Sequence, residues 1–303
     1  MVDILMATYN GEKFISEQLD SIINQDFKDW KLFIRDDGSR DNTLNIISEY
    51  LKKCPEKIEL IDNENKNLGV KLNFGELIKH SKNRYCMFSD QDDIWLPNKI
   101  SITLKRMKHL EVIYGIKKPI LVHTDLKVVN QNLQVCNESY WNYMNIDPKR
   151  NTLNKALVRN TVTGCTMMIN SSLRKYVQGI PKECKMHDHW ISLVASICGI
   201  VEIIYIPTIL YRQHVNNQVG ANKMNFFRKL IKNTKDLKYK FPTEQAEVLY
   251  KDYNNFLSQK NKQILREFIE LSNYNFIKKR YVLLKNNYFT NIMLNRIKMF
   301  LYC

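Results

Sequence analysis

The chain lacks most of the devices by which proteins of its size cradle phosphate, attack esters or staple themselves together. No G-x-G-x-x-G follows its first apolar run and no G-x-x-x-x-G-K-[ST] occurs anywhere, so the dinucleotide and P-loop ways of holding phosphate are unsupported. No G-x-S-x-G elbow is present, which leaves a hydrolase triad with little to stand on. The 7 cysteines show no CxxC pair and no regular spacing, and their odd number fits reduced thiols rather than a disulfide framework. Gly and Pro are scarce, at 9 and 7 of 303 residues, and 44% hydrophobic content excludes a disordered or collagen-like chain. Met1 leads through Asp3 into an apolar run with no charged leader or small-residue cleavage site, so no export signal is expected. The most apolar stretch, 192–211, is broken by Glu202 and Pro207, and Cys198-Gly199 looks like a helix end. It is expected to be a helix followed by a strand, buried in protein, rather than a membrane span.

What is present is length enough for a large core, as one domain or one domain with a helical appendage. The formal net charge is +15, but the excess is local: residues 221–303 hold 17 of the 46 Lys and Arg and only 6 of the 31 Asp and Glu. The basicity belongs to the tail.

Residues 3–9 form an apolar run closing on Asn10-Gly11, after which Phe14, Ile15, Leu19, Ile22 and Ile23 recur at helical spacing. The run at 32–35 ends in Asp36-Asp37-Gly38-Ser39, and Leu44, Ile47 and Leu51 mark one face of the next helix. A strand at 58–61, a helix at 72–78 and a strand at 85–88 complete an alternating half, which predicts a mostly parallel central sheet. Beyond Asp93 the pattern loosens, with a helix expected at 99–114, a strand at 120–129 and a strand at 162–169. From Asn222 the chain turns lysine-rich, with helices expected at 244–257 and 263–271.

In an open α/β sheet, ligands sit outside the carboxyl ends of the strands, and three of these strands end in polar clusters: Thr8-Tyr9-Asn10, Asp36-Asp37 and Asp90-Gln91-Asp92-Asp93. All three can face one crevice. Asp90 and Asp92 can offer carboxylate oxygens to a hard divalent cation that keeps other places for water and phosphate, although a solvated or capping loop has the same appearance. Asp37 can accept a hydrogen bond from the ring N3–H of uracil or thymine, and Tyr9 can stack on the base; Asp-Gly-Ser is equally an ordinary turn and helix start. Asp188, in His187-Asp188-His189-Trp190 at the start of an apolar helix, is either a general base for a hydroxyl or an N-cap. Cys184, His187 and His189 hint at zinc, but no second ligand pair follows at zinc spacing.

Taken together, ATYNGEKFISEQLDSIINQ, FIRDDGSRDNT, NLGVKLNF, FSDQDDIWLPNK, TGCTMMIN, HDHWISLVAS and YRQHVNNQVG, in order across residues 2 to 221, resemble the family 2 inverting glycosyltransferases of the GT-A fold. DQDDIW with the HD and YRQH segments resembles the rhamnosyltransferase-like branch. The resemblance implies a nucleotide-sugar-binding half over 1–98, an acceptor and catalytic-base half over 99–221, and a basic amphipathic helical region over 222–303. It implies that Thr8, Tyr9, Asn10 and Glu12 line the nucleotide, that Asp37 reads the pyrimidine with Asp36 supporting its loop, and that Asn67, Gly69 and Asn73 border the ribose or diphosphate. Asp90 and Asp92 match the family's D-x-D motif for Mg²⁺ or Mn²⁺, with Asp90 also against the nucleotide, and Asp188 matches its catalytic base. His214 and Arg212 fall where the later segment reaches the metal or diphosphate, and Trp95 and Gly164 shape the sugar pocket. The branch often reads HDWW; here His189 replaces the first tryptophan, which leaves the base intact and alters the acceptor packing.

The implied reaction moves a hexose, with dTDP-L-rhamnose favoured as donor by the branch resemblance, onto a hydroxyl of a growing cell-surface polysaccharide or lipid-linked oligosaccharide. The alternatives are a UDP-hexose or UDP-N-acetylhexosamine transferase of the same fold, and a non-catalytic basic protein that binds membrane or nucleic acid. Zinc-finger spacing and an RNP-like aromatic strand motif are absent, so nucleic acid is not an expected partner. In the tail, Phe226, Phe227, Leu230 and Ile231 lie among Arg228, Lys229 and Lys232, and Ile277, Tyr281, Leu283 and Leu284 among Lys278, Lys279, Arg280 and Lys285. Such a mixture suits an anionic membrane surface or the solvent face of a helical bundle. The expected location is the cytoplasm, with the tail a candidate peripheral contact on the inner face of the plasma membrane.

Overall fold

The seven residues of β1 (Val2–Thr8) are buried along their whole length, as a strand must be when both faces of its sheet are covered. In the computed structural model, which describes residues 1–63, 67–177, 179–214, 241–290 and 293–302, β1 pairs in parallel with β2 (Trp30–Asp36) on one side and β4 (Tyr85–Ser89) on the other. β3 (Ile58–Leu60) extends the parallel block beyond β2. The crossovers carry α1 (Ile15–Ile23), α2 (Thr43–Lys53) and α3 (Val70–His80). Thr8 pairs with Asp36 and Met6 with Ser89, so these three strands end nearly level and their loops open on one edge. Asp3 would be a costly buried charge, but its carboxylate accepts from Ser81 Oγ (2.8 Å) and from the N–H of Lys82 and Asn83 (2.9 Å each), tying β1 to the turn before β4.

The second half is mixed. β5 (Ile94–Trp95), α4 (Lys99–Tyr114), β6 (Ile120–Asn130), β7 (Val135–Asn137), α5 (Tyr140–Tyr143), α6 (Leu153–Ala156), β8 (Met167–Asn170), α7 (Ser171–Tyr176), α8 (His187–Cys198) and β9 (Ile200–Gln213) follow in order. β8 lies antiparallel between β4 and β6, and β9 runs parallel to β6, giving the strand order β3-β2-β1-β4-β8-β6-β9-β5 with β7 on β6. The strand expected at 162–169 is shorter than its apolar pattern predicts, because Gly164–Thr166 form a 3₁₀ turn and pairing begins at Met167. The helix-then-strand reading of 192–211 agrees with α8 and β9, and no helix among the described residues is long and apolar enough to cross a membrane. The stretch is not buried throughout, however. β9 carries two extra residues between Ile204 and Pro207 against the consecutive Thr124 and Asp125 of β6, and this bulge leaves Tyr205 and Ile206 exposed.

Alternation along the strands divides the core into two layers. Leu5, Phe33, Phe88 and Leu121 pack with α3 and α8, whereas Ile4, Ile34, Met87 and Val122 pack with α1, α2 and α4. The described chain ends with α9 (Thr243–Asp252), α10 (Gln259–Ile269), α11 (Phe276–Lys285) and α12 (Met293–Tyr302). Ala246, Leu249, Leu265, Phe268 and Leu283 of these helices belong to the same apolar cluster as Trp190, Ile191 and Val194 of α8. Full burial of a side chain of Leu or Phe size contributes about 1.5–3 kcal/mol, so these helices help to hold α8 in place. The boundary expected at 221/222 lies outside the described residues, as do the tail residues 226–232.

Candidate active site

The loops after β1, β2 and β4 line one cavity of about 1130 Å³, together with residues 158–164 and the start of α8. Hydrogen bonds between loops build its first wall. Thr8 Oγ1 donates to Asp36 Oδ1 (2.8 Å), while Asp36 Oδ2 accepts from the N–H of Gly38 (3.0 Å) and Ser39 (2.7 Å). Asp36 is buried and braces the loop from behind the wall. Gln91 clamps Tyr9, accepting from its N–H (2.8 Å) and donating to its carbonyl (2.9 Å), which ties the β1 loop to the β4 loop. Tyr9 stays 43% exposed, the accessibility that a stacking ring needs. Asn10 Oδ1 accepts from Arg40 N–H (2.9 Å) and Glu12 Oε2 from Asn42 N–H (2.9 Å), so both side chains brace the β2–α2 loop.

Asp37 is held from three directions. Its Oδ1 accepts from Leu68 N–H (2.8 Å) and Arg35 Nη1 (3.2 Å), and its Oδ2 from Gly69 N–H (2.8 Å). A carboxylate has about four lone-pair positions, which leaves Oδ2 capacity for one more donor. Gly69 turns its N–H onto Asp37 by taking φ 73°, a conformation glycine enters without strain. Asn67 Nδ2 donates to Asp37 O (2.8 Å), and Asn73 aims Arg35, accepting from Nη1 (3.0 Å) and donating to the Arg35 carbonyl (3.0 Å).

Asp90, Asp92, Asp188 and His214 line the same cavity. Asp92 Oδ2 and His214 Nε2 lie 2.8 Å apart, and the imidazole packs on Phe14 with ring centroids 4.7 Å apart. Burial, and then the charges of Asp92 and Asp188, push the Asp90 carboxyl well above the usual carboxylate range. This mutual repulsion is what a bound cation would relieve. Asp93 faces inward, and its Oδ1 accepts from Arg212 N–H (3.2 Å). Asp90, Asp93 and Cys165 bring ligand atoms within 4.8 Å of one another. Burial nevertheless pushes the Cys165 thiol far up, and a protonated thiol is a poor ligand for a hard divalent ion. Asp90 and Asp92 could offer carboxylate oxygens to Mg²⁺ or Mn²⁺, although with His214 they do not bring their ligand atoms within that same distance of one another.

Two expected site residues stand elsewhere. Arg212, expected at the diphosphate, is 2% exposed because its guanidinium donates to Asp92 O (3.0 Å), Gln131 O (2.7 Å) and Glu17, and lies over Phe14. It pins the Asp92 backbone from behind. Trp95, expected in the sugar pocket, is not on the cavity wall: β5 pairs with β9 at Ile209, and the indole sits in the layer of α1 and α4, 4.7 Å from Lys99 Nζ.

Asp188 lies in the first turn of α8, where its carboxylate accepts from His189 N–H (2.6 Å) and Gly164 N–H (3.1 Å). A Cβ on residue 164 would come within 2.7 Å of His187 Nε2 and 3.5 Å of Asp188 Cβ, so glycine is what lets the 3₁₀ turn approach the carboxylate. Burial raises Asp188 to about 6 against the pull of these two backbone donors. His187 packs on Phe74 with ring centroids 4.0 Å apart, burial pushes it down to about 3, and neither ring nitrogen has a hydrogen-bond partner among the described residues. His189 is neutral as well, pushed down to about 4 by burial. Its Nε2 donates to the Ala156 carbonyl (2.7 Å), leaving Nδ1 to accept from Gln245 Nε2 (3.5 Å); Gln245 Oε1 in turn accepts from Lys185 N–H (3.3 Å). Cys184, His187 and His189 form no metal-ligand cluster among the described residues. Gln245 and the wall at 158–163 were not among the residues singled out from sequence, whereas Gln91 was named only as part of the acidic loop and His187 only as a zinc hint, not as the Tyr9 clamp and the neutral ring beside Asp188.

Residues 3–177 match the family described as Glycosyl transferase family 2. The dTDP-rhamnosyl transferase RfbG of Shigella flexneri is 34% identical over 236 residues, which are 72% of this chain and 74% of that protein. S. aureus TarS 1–349, solved in complex with UDP-GlcNAc, is similar with a TM-score of 0.58 at 18% identity, covering 94% of this chain and 80% of that one. The mannosyltransferase PcManGT from Pyrobaculum calidifontis, solved with GDP-Man and Mn²⁺, gives a TM-score of 0.54 at 15% identity, covering 94% of this chain and 72% of that one. The likeness to these two structures is one of fold.

Proposed function

The chain belongs to glycosyl transferase family 2 and is an inverting glycosyltransferase of the GT-A fold, and from that premise we propose that its cavity holds a pyrimidine nucleoside diphosphate sugar whose acceptor hydroxyl is activated by Asp188. The observation that carries this reading is the meeting of Asp37, Asp90, Asp92 and Asp188 on the wall of one cavity. At about 1130 Å³ it exceeds the roughly 300–1,000 Å³ of an ordinary small-molecule site, which leaves room for part of an acceptor.

Tyr9 stacks on the base and Asp37 Oδ2 accepts its N3–H, a donor that thymine and uracil share. Asp90 and Asp92, with His214, would hold Mg²⁺ or Mn²⁺, which when bound supplies Lewis-acid stabilisation of the leaving diphosphate. Asp188 takes the proton of the acceptor hydroxyl as that oxygen bonds to the anomeric carbon and the bond to the diphosphate breaks on the opposite face. Configuration inverts in one displacement, with no covalent enzyme intermediate. A carboxylate is a weak base, but the hydroxyl becomes acidic as its new bond forms, and the burial that lifts Asp188 to about 6 brings it nearer the working pH. Gly164 and the 158–163 wall lie beside Asp188, where the sugar and acceptor would meet.

Similarity to RfbG, a dTDP-rhamnosyl transferase, supports dTDP-L-rhamnose as the donor, and the acceptor is read as a hydroxyl of a growing cell-surface polysaccharide or lipid-linked oligosaccharide. Free cysteines among the described residues support a cytoplasmic setting. Release of nucleoside diphosphate from dTDP-rhamnose, UDP-glucose, UDP-galactose and UDP-N-acetylglucosamine tests the donor. Turnover of dTDP-rhamnose above the others is expected; turnover of a UDP-sugar with dTDP-rhamnose ignored would overturn that assignment.

A further inference from the structure

We propose that α11 and α12 form a docking face for an anionic lipid bilayer. On α11, Ile277, Tyr281 and Leu284 repeat at i, i+4 and i+7 and are 80%, 62% and 61% exposed, and Phe276 beside them is 68% exposed. On α12, Ile297 and Leu301 lie one turn apart at 44% and 51%. The solvent face of a peripheral helix ordinarily carries polar residues at such positions, and a contiguous apolar patch marks an interaction surface. Arg280 joins the two helices, because its Nη2 donates to Leu301 O (3.0 Å) while its guanidinium packs over the Phe276 ring. The four α11 side chains therefore form the body of the patch, and α12 is joined to it through Arg280.

Charge decides the occupant. Lys278 and Lys279 interrupt the apolar positions and make no ion pair among the described residues, and Arg296 adds a cation from α12. In a two-fold contact with a second copy these like charges would be brought together in the interface. A nucleic acid would use the lysines and leave the apolar side chains in water. A bilayer with anionic headgroups satisfies both sets: the apolar side chains enter the boundary between headgroups and acyl chains while the lysines stay at the phosphates.

This face is also tied to the acceptor side of the cavity. Asn154 Nδ2 donates to Asn286 O (2.8 Å) just beyond α11, and Arg150 reaches the Phe289 carbonyl, both from the segment that leads into the 158–164 wall. The inference thus deepens the glycosyltransferase reading, on which its purpose rests, by naming where a lipid-linked acceptor would meet the protein.

The test uses the full chain, because α9 to α11 share their core with α8. Co-sedimentation is measured with vesicles of phosphatidylcholine alone or mixed with phosphatidylglycerol, for the wild type, Ile277→Glu/Leu284→Glu and Lys278→Glu/Lys279→Glu. Binding to the mixed vesicles alone is expected, and the double lysine variant should weaken it at least about 25-fold, about fivefold for each charge lost. The apolar variant should lose binding while its melting temperature and donor turnover in solution stay at wild-type values. Absence of wild-type binding, binding that survives the apolar substitutions, or a dimer that those substitutions dissolve would each overturn the proposal. Donor turnover is read separately, so failure of the docking face is distinguishable from failure of the glycosyltransferase reading.

Discussion

At the scale of single residues, the cavity gathers carboxylates that repel one another, and the structure answers this differently for each. Asp37 is covered by three donors, Asp92 lies against His214, and Asp93 takes the Arg212 N–H. Asp188 accepts from the His189 and Gly164 backbone N–H groups, and burial nevertheless raises it to about 6. It must be ionised to accept a proton, so the acid limb of the pH–rate profile should fall near 6 rather than near the ordinary value of about 3.9. Asp188→Asn should cost about 10²–10⁴-fold in turnover. The raised value also sets the sign of a stability effect. Between the unfolded and folded values the native state holds a proton that the unfolded chain has lost, so the Asp188 carboxyl lowers stability as pH rises through that window. Asp188→Asn is therefore expected to melt higher than wild type at pH 8 and to lose that advantage below pH 4; a variant that melts lower at both would show that the carboxylate is stabilised in the fold.

At the scale of elements, the start of α8 is fixed from three sides: by the 3₁₀ turn at Gly164, by α6 through Ala156, and by α9 through Gln245. Gln245→Leu leaves His189 Nδ1 and Lys185 N–H without that partner, a loss of about 1–3 kcal/mol at the buried His189 nitrogen. The melting temperature should fall by several degrees, with kcat reduced and donor KM unchanged; an unaltered kcat would confine Gln245 to a structural role. The parallel half of the sheet was legible in the sequence because its signals are local, with apolar runs ending in polar clusters at Thr8, Asp36 and Asp90, followed by helical periodicity. The short antiparallel β8 was legible only in its later residues, since an apolar stretch does not reveal that its first residues turn through Gly164 toward a helix far along the chain. Arg212 and Trp95 lie off the cavity wall for a related reason. Their burial depends on Glu17 and on the pairing of β5 with β9, contacts between segments that no motif connects. The amphipathic pattern of α9 and α10 announces a buried face without naming α8 as what buries it.

At the scale of the molecule, charge is segregated. Carboxylates collect in the cavity, and the cationic excess lies in residues 221–303, whose described helices join the core through one face and present Ile277, Tyr281 and Leu284 on another. That division suits an enzyme whose donor is a soluble anion held around a cation and whose acceptor is carried at an anionic surface. The most direct test of the central claim is calorimetric titration of dTDP-rhamnose into the full chain with Mg²⁺ or Mn²⁺, beside a chelated sample and the Asp90→Ala/Asp92→Ala variant. Saturable binding in the wild type that is lost both on chelation and in the variant is the predicted result. Equal affinity in all three would contradict the assignment of Asp90 and Asp92 to a metal that holds the diphosphate.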